Sequence, residues 1–386
     1  MRHIIGFFKN FFRKGDLILL TLCLVTTVFG CMVIASTTNY MDYTRYIIVQ
    51  LVATGLGILC YMLVSALDVD FMVEHRTGMA IFNLFLIALL IPFGIRVGGN
   101  RSWLDFPILP VNIQPAEICK ITFILIIASV MGSHQNRPSA ITSLLHMGFH
   151  LMLFFLPNLL ISGDMGVSLI FVFILIGMAF AGGVNLLWFL GGAGALVGMA
   201  PIIWNRLGAY QQNRILILFD PTIDPTGIGP RYHTRLSLES LTGGGLMGQG
   251  LFQGTRTQTP EALPAQHTDF IFSAIGEELG YAGCAVVLIM LFLIIARCFQ
   301  VGMRSQDYMR RLVCFGAASA LIFQVVVNVG MCIGVMPVIG ITLPFVSYGG
   351  SSIVTLYAML GLVSGVHERP APASHERYIR APYLRR

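Results

Sequence analysis

The chain has 386 residues, 56% of them hydrophobic and 11% charged, with a formal net charge of +6. Its mean hydropathy is +0.78. Soluble domains carry about 25% charged residues, so there is too little polar surface here to coat a water-exposed globule, and a bilayer has to supply the missing solvent. In such a chain an excess of basic residues reports topology rather than nucleic-acid binding. The eight cysteines form no CxxC pair and sit mostly in apolar runs, which fits small buried hydrophobes and not a zinc site or disulfide framework.

Met1 to Lys14 is basic and is followed by the apolar run Leu17–Ser36. That run is about 20 residues, longer than the apolar part of a signal peptide, and reads as an uncleaved first helix. Runs long enough to span a bilayer fall at 17–37, 44–66, 79–97, 115–132, 144–161, 165–182, 185–205, 270–296, 312–334 and 348–366, as expected for transmembrane helices. Only Ser162-Gly163-Asp164 separates the fifth from the sixth. No internal repeat supports an inverted-repeat transporter. The expected fold is an all-α integral membrane protein of about ten helices. It consists of a basic N-terminus (1–16), a polytopic domain (17–366) with a large, partly ordered loop at 206–269, and a basic tail (367–386).

Lys9, Arg13, Lys14, Arg76, Arg137, Arg297, Arg304, Arg310, Arg311 and the tail arginines fall on one side, whereas the short loops opposite hold only Arg45, Arg96 and Arg101. The positive-inside rule then places both termini in the cytoplasm and 206–269 outside. That loop is charge-balanced, rich in Gly and Pro, and too long to be a mere connector.

Ionisable groups at membrane depth are costly and mark function by default. Glu117 and Lys120 are spaced i,i+3 on the fourth span, either as a self-neutralising pair or lining a polar cavity. Gln114-Pro115 marks the start of that helix. Asp164 reads as an N-cap of the sixth span that can also face a cavity. His267-Thr268-Asp269 lies where the loop re-enters the membrane. Asp269 reads either as an N-cap or as a partly desolvated general base. Glu277 and Glu278 follow, with structural ion pairing expected. The glycine-dense stretch Gly243–Gly250 has no Walker lysine; it reads as a tight turn or as a close backbone approach to phosphate. Ser347-Tyr348-Gly349-Gly350-Ser351-Ser352 reads as close helix packing.

Taken together and in order, several windows resemble the SEDS family (shape, elongation, division and sporulation) of bacterial cell-wall proteins. They are Gly98-Gly99-Asn100-Arg101-Ser102-Trp103-Leu104, Gln114-Pro115-Ala116-Glu117 through Lys120, Asp164-Met165-Gly166, Tyr210-Gln211 with Arg214-Ile215, and Asp224-Pro225-Thr226-Gly227. The set continues with Gly243–Gly254, Pro264 with His267–Phe272, Glu277-Glu278-Leu279-Gly280 and Pro344–Ser352. Ala116, Ala265, Thr342 and Arg235-Leu236-Ser237 depart from the family pattern.

The resemblance implies a peptidoglycan glycosyltransferase of the bacterial inner membrane that polymerises lipid II into glycan, with Asp269 catalytic. Arg101, Trp103, Gln114, Glu117, Lys120, Asp164, Arg214, His267 and Thr268 are then the candidate substrate-binding residues. Lys120, Arg101 and Arg214, or a divalent cation such as magnesium or manganese, would stabilise the pyrophosphate leaving group. A class B penicillin-binding protein transpeptidase and other elongation or division proteins are the implied partners. A lipid II flippase and a non-catalytic synthase scaffold are the alternatives.

Overall fold

A computed structural model describes residues 11, 13–41, 43–97, 100–105, 112–224, 229, 231–260 and 262–367. Most of the 1–16 segment, Gly98 and Gly99, residues 108–111, Pro225-Thr226-Gly227 and nearly all of the 367–386 tail lie outside this range. Helices α1 (Leu17–Thr37), α2 (Tyr43–Ala66), α3 (Val69–Glu74) and α4 (Arg76–Ala88) lead to a further turn at Leu90–Phe93 and a hairpin of β1 (Gly94–Val97) and β2 (Asn100–Leu104). Then come α5 (Pro115–Ser133), α6 (Ile141–Pro157, prolonged by a π-turn at Asn158–Ser162), α7 (Met165–Ala181) and α8 (Leu186–Arg206). The large loop contributes α9 (Ala209–Leu216) and α10 (Tyr232–Gly243). Helices α11 (Ile271–Arg304), α12 (Tyr308–Cys332) and α13 (Gly350–His367) complete the chain.

Eight of these helical segments are long and apolar enough to cross a membrane, and Met165–Ala181 and Leu186–Ile202 are shorter apolar helices. The third apolar run, read from hydropathy to residue 97, ends as a helix at Phe93; residues 94–97 are strand, with Gly94 paired to Leu104 and Ile95 to Trp103. The hairpin is the one sheet among the described residues.

The core is built on α5, α12 and α13, whose buried faces are the most extensive. Helix α13 runs along α2. Gly361 and Gly365 make this possible: a Cβ on Gly361 would lie 2.7 Å from the Tyr61 carbonyl, and one on Gly365 3.0 Å from the Ser65 carbonyl. Small residues four apart let membrane helices approach closely. On the side of the chain termini, Asp16 caps α1 through the Leu19 amide. It also takes a two-pronged contact from Arg297 of α11, at 2.8 and 3.1 Å. Arg310 of α12 pairs with Asp70 at 2.8 Å. Both pairs are largely buried, so each charge depends on its partner.

Helix α11 is broken at Gly280 (φ 67°, ψ −170°), a conformation that only glycine adopts easily. The glycine-dense stretch docks into this break. The amides of Gln249 and Gly250 donate to the carbonyls of Glu277 and Glu278 at 2.9 Å, and Tyr281 and Ala282 donate back to Gly245 and Leu246 at 2.9 and 3.1 Å. A Cβ on Gly248 or Gly280 would collide with the opposing backbone. These glycines thus serve close packing of the loop on its own helix, and the amides of Gln249 and Gly250 are already spent.

Glu277 and Glu278 are buried, but neither forms the expected ion pair among the described residues. Glu278 accepts from Ser36, Thr257 and Gln258 at 2.7, 2.6 and 3.0 Å. Glu277 accepts from the Arg256 amide at 2.6 Å, while the Arg256 guanidinium turns to Glu239. Hydroxyl, amide and main-chain donors tie the loop to α1 and α11 without a buried cation.

Candidate active site

Asp269 sits in the segment that enters α11. Ala265 adopts a left-handed φ of 52°, and its carbonyl accepts from the amides of Thr268 and Phe270, each at 3.1 Å. Residues 265–270 are thereby wound into one tight turn. Asn328 of α12 donates its side-chain amide to the Asp269 carbonyl at 2.8 Å and to the Ile341 carbonyl at 2.7 Å. The Ser347 hydroxyl donates to the Thr268 carbonyl at 2.6 Å, and the Tyr348 amide donates to the His267 carbonyl at 2.8 Å. Ser347 in turn accepts from the Leu343 amide at 2.8 Å, closing a loop in which the buried Phe345 is held at φ 63°. Such a conformation is costly for a bulky residue and persists only where the surroundings over-determine it.

Phe270, not Asp269, occupies the N-cap of α11 and makes no side-chain cap. The Asp269 carboxylate is therefore not used in capping, and it remains partly exposed. Burial pushes its pKa up to about 6, and the charge of Asp164 adds to the effect. Asp164 does cap α7, accepting from the Val167 amide at 3.0 Å, and takes a second bond from Ser102 at 3.2 Å. Its pKa is also raised, by burial first; the bonds from Val167 and Ser102 pull against that, and the charge of Glu117 adds a smaller push upward. Three carboxylates thus stand within electrostatic reach in the order Asp269, Asp164, Glu117.

Glu117 and Lys120 realise the paired reading, at 2.7 Å and both buried. Thr355 of α13 donates a further bond to Glu117 at 3.0 Å. Gln114 is buried and extended before Pro115, and makes no side-chain cap. Arg101 and Trp103 lie on β2, partly exposed; the Arg101 Nε donates to the Gly94 carbonyl at 3.0 Å. Asn100 of the same strand approaches Gly163, next to Asp164.

Arg214 of α9 donates to the Val338 carbonyl at 2.9 Å. That segment leads to Gly340, where a Cβ would lie 3.6 Å from an Asp269 carboxylate oxygen. His267 sits against Tyr46 and Tyr348, with ring centroids 5.2 and 5.9 Å away, and burial lowers its pKa. The Thr268 hydroxyl is turned onto the Ala265 carbonyl at 3.2 Å.

Asn328, Ser102 and Ser347 escaped the sequence reading as parts of this site. Asn328 had a usable signal, a fully polar amide inside an apolar span. Polar groups at membrane depth need partners whether or not they ionise.

Among the described residues, no group of three or more His, Cys, Asp or Glu converges as a metal cage. Asp269 and Asp164 nevertheless feel each other's charge. Magnesium is commonly held by one or two protein carboxylates with water completing the shell, and these are the two carboxylates that would hold one.

A helical membrane bundle that presents a burial-perturbed carboxylate on an anchored turn has the features of a membrane protein with a candidate active site at that turn. The comparisons with known proteins give the family. A profile described as "Cell cycle protein" and covering FtsW, RodA and SpoVE matches residues 15–371, so the chain belongs to the SEDS family. It is 37% identical over 292 residues to the peptidoglycan glycosyltransferase MrdB of Escherichia coli K12, covering 74% of this chain and 76% of the relative. It is 33% identical over 362 residues to a probable peptidoglycan glycosyltransferase FtsW of Thiomicrospira cyclica, covering 90% of each.

Among solved structures, one described as "Structural coordination of polymerization and crosslinking by a peptidoglycan synthase complex" aligns with a TM-score of 0.78 at 30% identity, covering 92% of this chain and 97% of the other. The rod shape determining protein RodA of Thermus thermophilus aligns with a TM-score of 0.67 at 27% identity, covering 92% and 96%.

Proposed function

We infer that this chain is a peptidoglycan glycosyltransferase that builds glycan strands in cell elongation or division. Lipid II is the substrate, and Asp269 is the general base. Asp269 would take the proton from the acceptor sugar hydroxyl as that oxygen attacks the anomeric carbon of the donor. The bond from that carbon to the pyrophosphate breaks, and undecaprenyl pyrophosphate leaves with the electron pair. In-line displacement inverts the α-linked donor to a β-1,4 glycan bond. A sugar hydroxyl is a poor nucleophile, and a base of raised pKa matches the proton transfer better than an ordinary aspartate. The observation that carries this reading is the Asp269 carboxylate itself: uncapped, partly exposed, and fixed through its own main chain from α12.

Of the three candidate cations, Lys120 is already neutralised by Glu117 and offers little net charge to a pyrophosphate. Arg214 is held on the segment next to Asp269 and is the better-placed counter-charge. A divalent cation, when bound with the substrate, would lie against Asp269 and Asp164 and neutralise the leaving pyrophosphate. The buried, mutually neutralised Glu117–Lys120 pair gives little support to a polar path for flipping lipid. The chain would cross the inner membrane ten times, with both termini cytoplasmic and the large loop outside. It would work with a class B penicillin-binding protein that cross-links the product. Purified protein incubated with lipid II, alone and with that transpeptidase, tests the reading directly; absence of glycan in both would refute it.

A further inference from the structure

Beside the 265–270 turn the described surface holds a cleft of ≈ 430 Å³, walled by Tyr40, Tyr232, Pro264, Gln266 and His267 with their neighbours. Its position is fixed relative to Asp269 on two sides. One wall is the tight turn itself, since the Ala265 carbonyl that binds the amides of Thr268 and Phe270 belongs to it. The other wall carries Tyr232, whose neighbour His233 stacks on Phe270 with ring centroids 6.0 Å apart and planes 10° from parallel.

Among the described residues the lining has no Asp, Glu, Lys or Arg side chain. A pyrophosphate would find no counter-charge in it, and the carboxylates of a stem peptide would find none either. Its polar rim is built from groups that suit an uncharged, hydroxyl-rich ligand. Tyr40 and Tyr232 line it, and a tyrosine combines a flat apolar ring with a polar tip, the combination that stacks on the C–H faces of a sugar ring. The wall is also preorganised. The Gln266 side-chain nitrogen lies 2.8 Å from the Thr37 carbonyl, 3.0 Å from the Thr257 carbonyl and 3.2 Å from the Tyr40 hydroxyl, so these groups need little ordering when a ligand arrives. The volume is within the range of small-molecule sites.

We propose that this cleft binds the uncharged saccharide of the glycan during polymerisation, supplied by the growing strand or by a second lipid-linked precursor. The inference rests on the glycosyltransferase reading above and adds a binding site to it.

The test uses full-length Asp269→Asn protein in detergent, so that binding is read without turnover. A soluble N-acetylglucosamine–N-acetylmuramic acid tetrasaccharide, free of lipid and peptide and with its lactyl carboxyls converted to amides so that it is uncharged, is titrated in one arm and lipid II in the other. Tyr40→Ala and Tyr232→Ala should each weaken binding by about tenfold, while Tyr40→Phe and Tyr232→Phe keep it, with melting temperatures held as a folding control. Weakening in the tetrasaccharide arm identifies the strand as the source; weakening confined to the lipid II arm identifies the precursor. Affinities that are the same in wild-type and alanine forms for both ligands overturn the proposal. So does a failure of both ligands to bind the tyrosine-intact protein. An Asp269→Asn protein that still polymerises would instead remove the general base, and the tetrasaccharide arm would still judge the cleft.

Discussion

The side-chain amide of Asn328 donates to the main-chain carbonyl of Asp269 at 2.8 Å and to that of Ile341 at 2.7 Å. One fully buried residue of α12 thus fixes the segment that carries the carboxylate against the segment that faces it. Asn328→Ala should lower kcat for lipid II polymerisation by about 100-fold, the scale of a 1 Å misplacement of a reacting group, with KM little changed. In an Asp269→Asn background the same substitution should add no further loss, because a positioning residue acts only through the group it positions. Additive losses in that double variant would mean that Asn328 serves stability alone.

The pH dependence follows from the pKa of about 6 at Asp269. The active, ionised form is lost as pH falls through about 6, not through the roughly 3.9 of a free aspartate. The initial rate of polymerisation by the purified protein should therefore drop on that limb. The linkage has a second consequence. A carboxyl whose folded pKa is raised binds more protons in the folded state between the two pKa values, so its contribution to stability declines as pH rises through that window. Asp269→Asn protein should melt no lower than wild type at pH 7, and a clearly lower melting temperature would contradict this.

Glu117 and Lys120 are paired and buried. Removing one charge leaves the other uncompensated, which costs about 3–5 kcal/mol in buried pairs. Glu117→Gln and Lys120→Met should each destabilise the protein strongly, and the double variant should recover much of the loss. Thermal melting in detergent reads both. Single variants as stable as wild type would show that solvent reaches the pair.

Topology is testable at the loop tip. Met247 is among the most exposed residues of the large loop, at 82%, and Gln306 is exposed in the turn between α11 and α12. In a cysteine-free background and intact cells, Met247→Cys should react with an impermeant maleimide and Gln306→Cys should not. The opposite pattern would invert the orientation.

Much of this was legible in the sequence where a single local rule decided the outcome. Asp164 caps α7 because a carboxylate before an apolar run satisfies orphan amides. Glu117 meets Lys120 because residues three apart share a helix face. What stayed hidden depends on distant contacts. Nothing local to Glu277 and Glu278 says that their partners are Ser36, Thr257, Gln258 and a main-chain amide in place of a cation. The break at Gly280 is set by the loop that docks there. Hydropathy could not separate the last residues of the third apolar run from strand β1, because Gly94, Ile95 and Val97 suit either state and Arg96 alone does not mark where the helix stops. Asp269 could also be read as a helix cap, and the position of Phe270 at the start of α11 removes that alternative.

The central claim is that Asp269 is the base. Wild-type and Asp269→Asn proteins, purified with the transpeptidase partner and matched for melting temperature, are given lipid II, and glycan is resolved by length. The account predicts a loss of polymerisation of about 100- to 10,000-fold in the variant, the usual cost of removing a positioned base. Near-normal glycan from the folded Asp269→Asn protein would contradict it and move the search to Asp164.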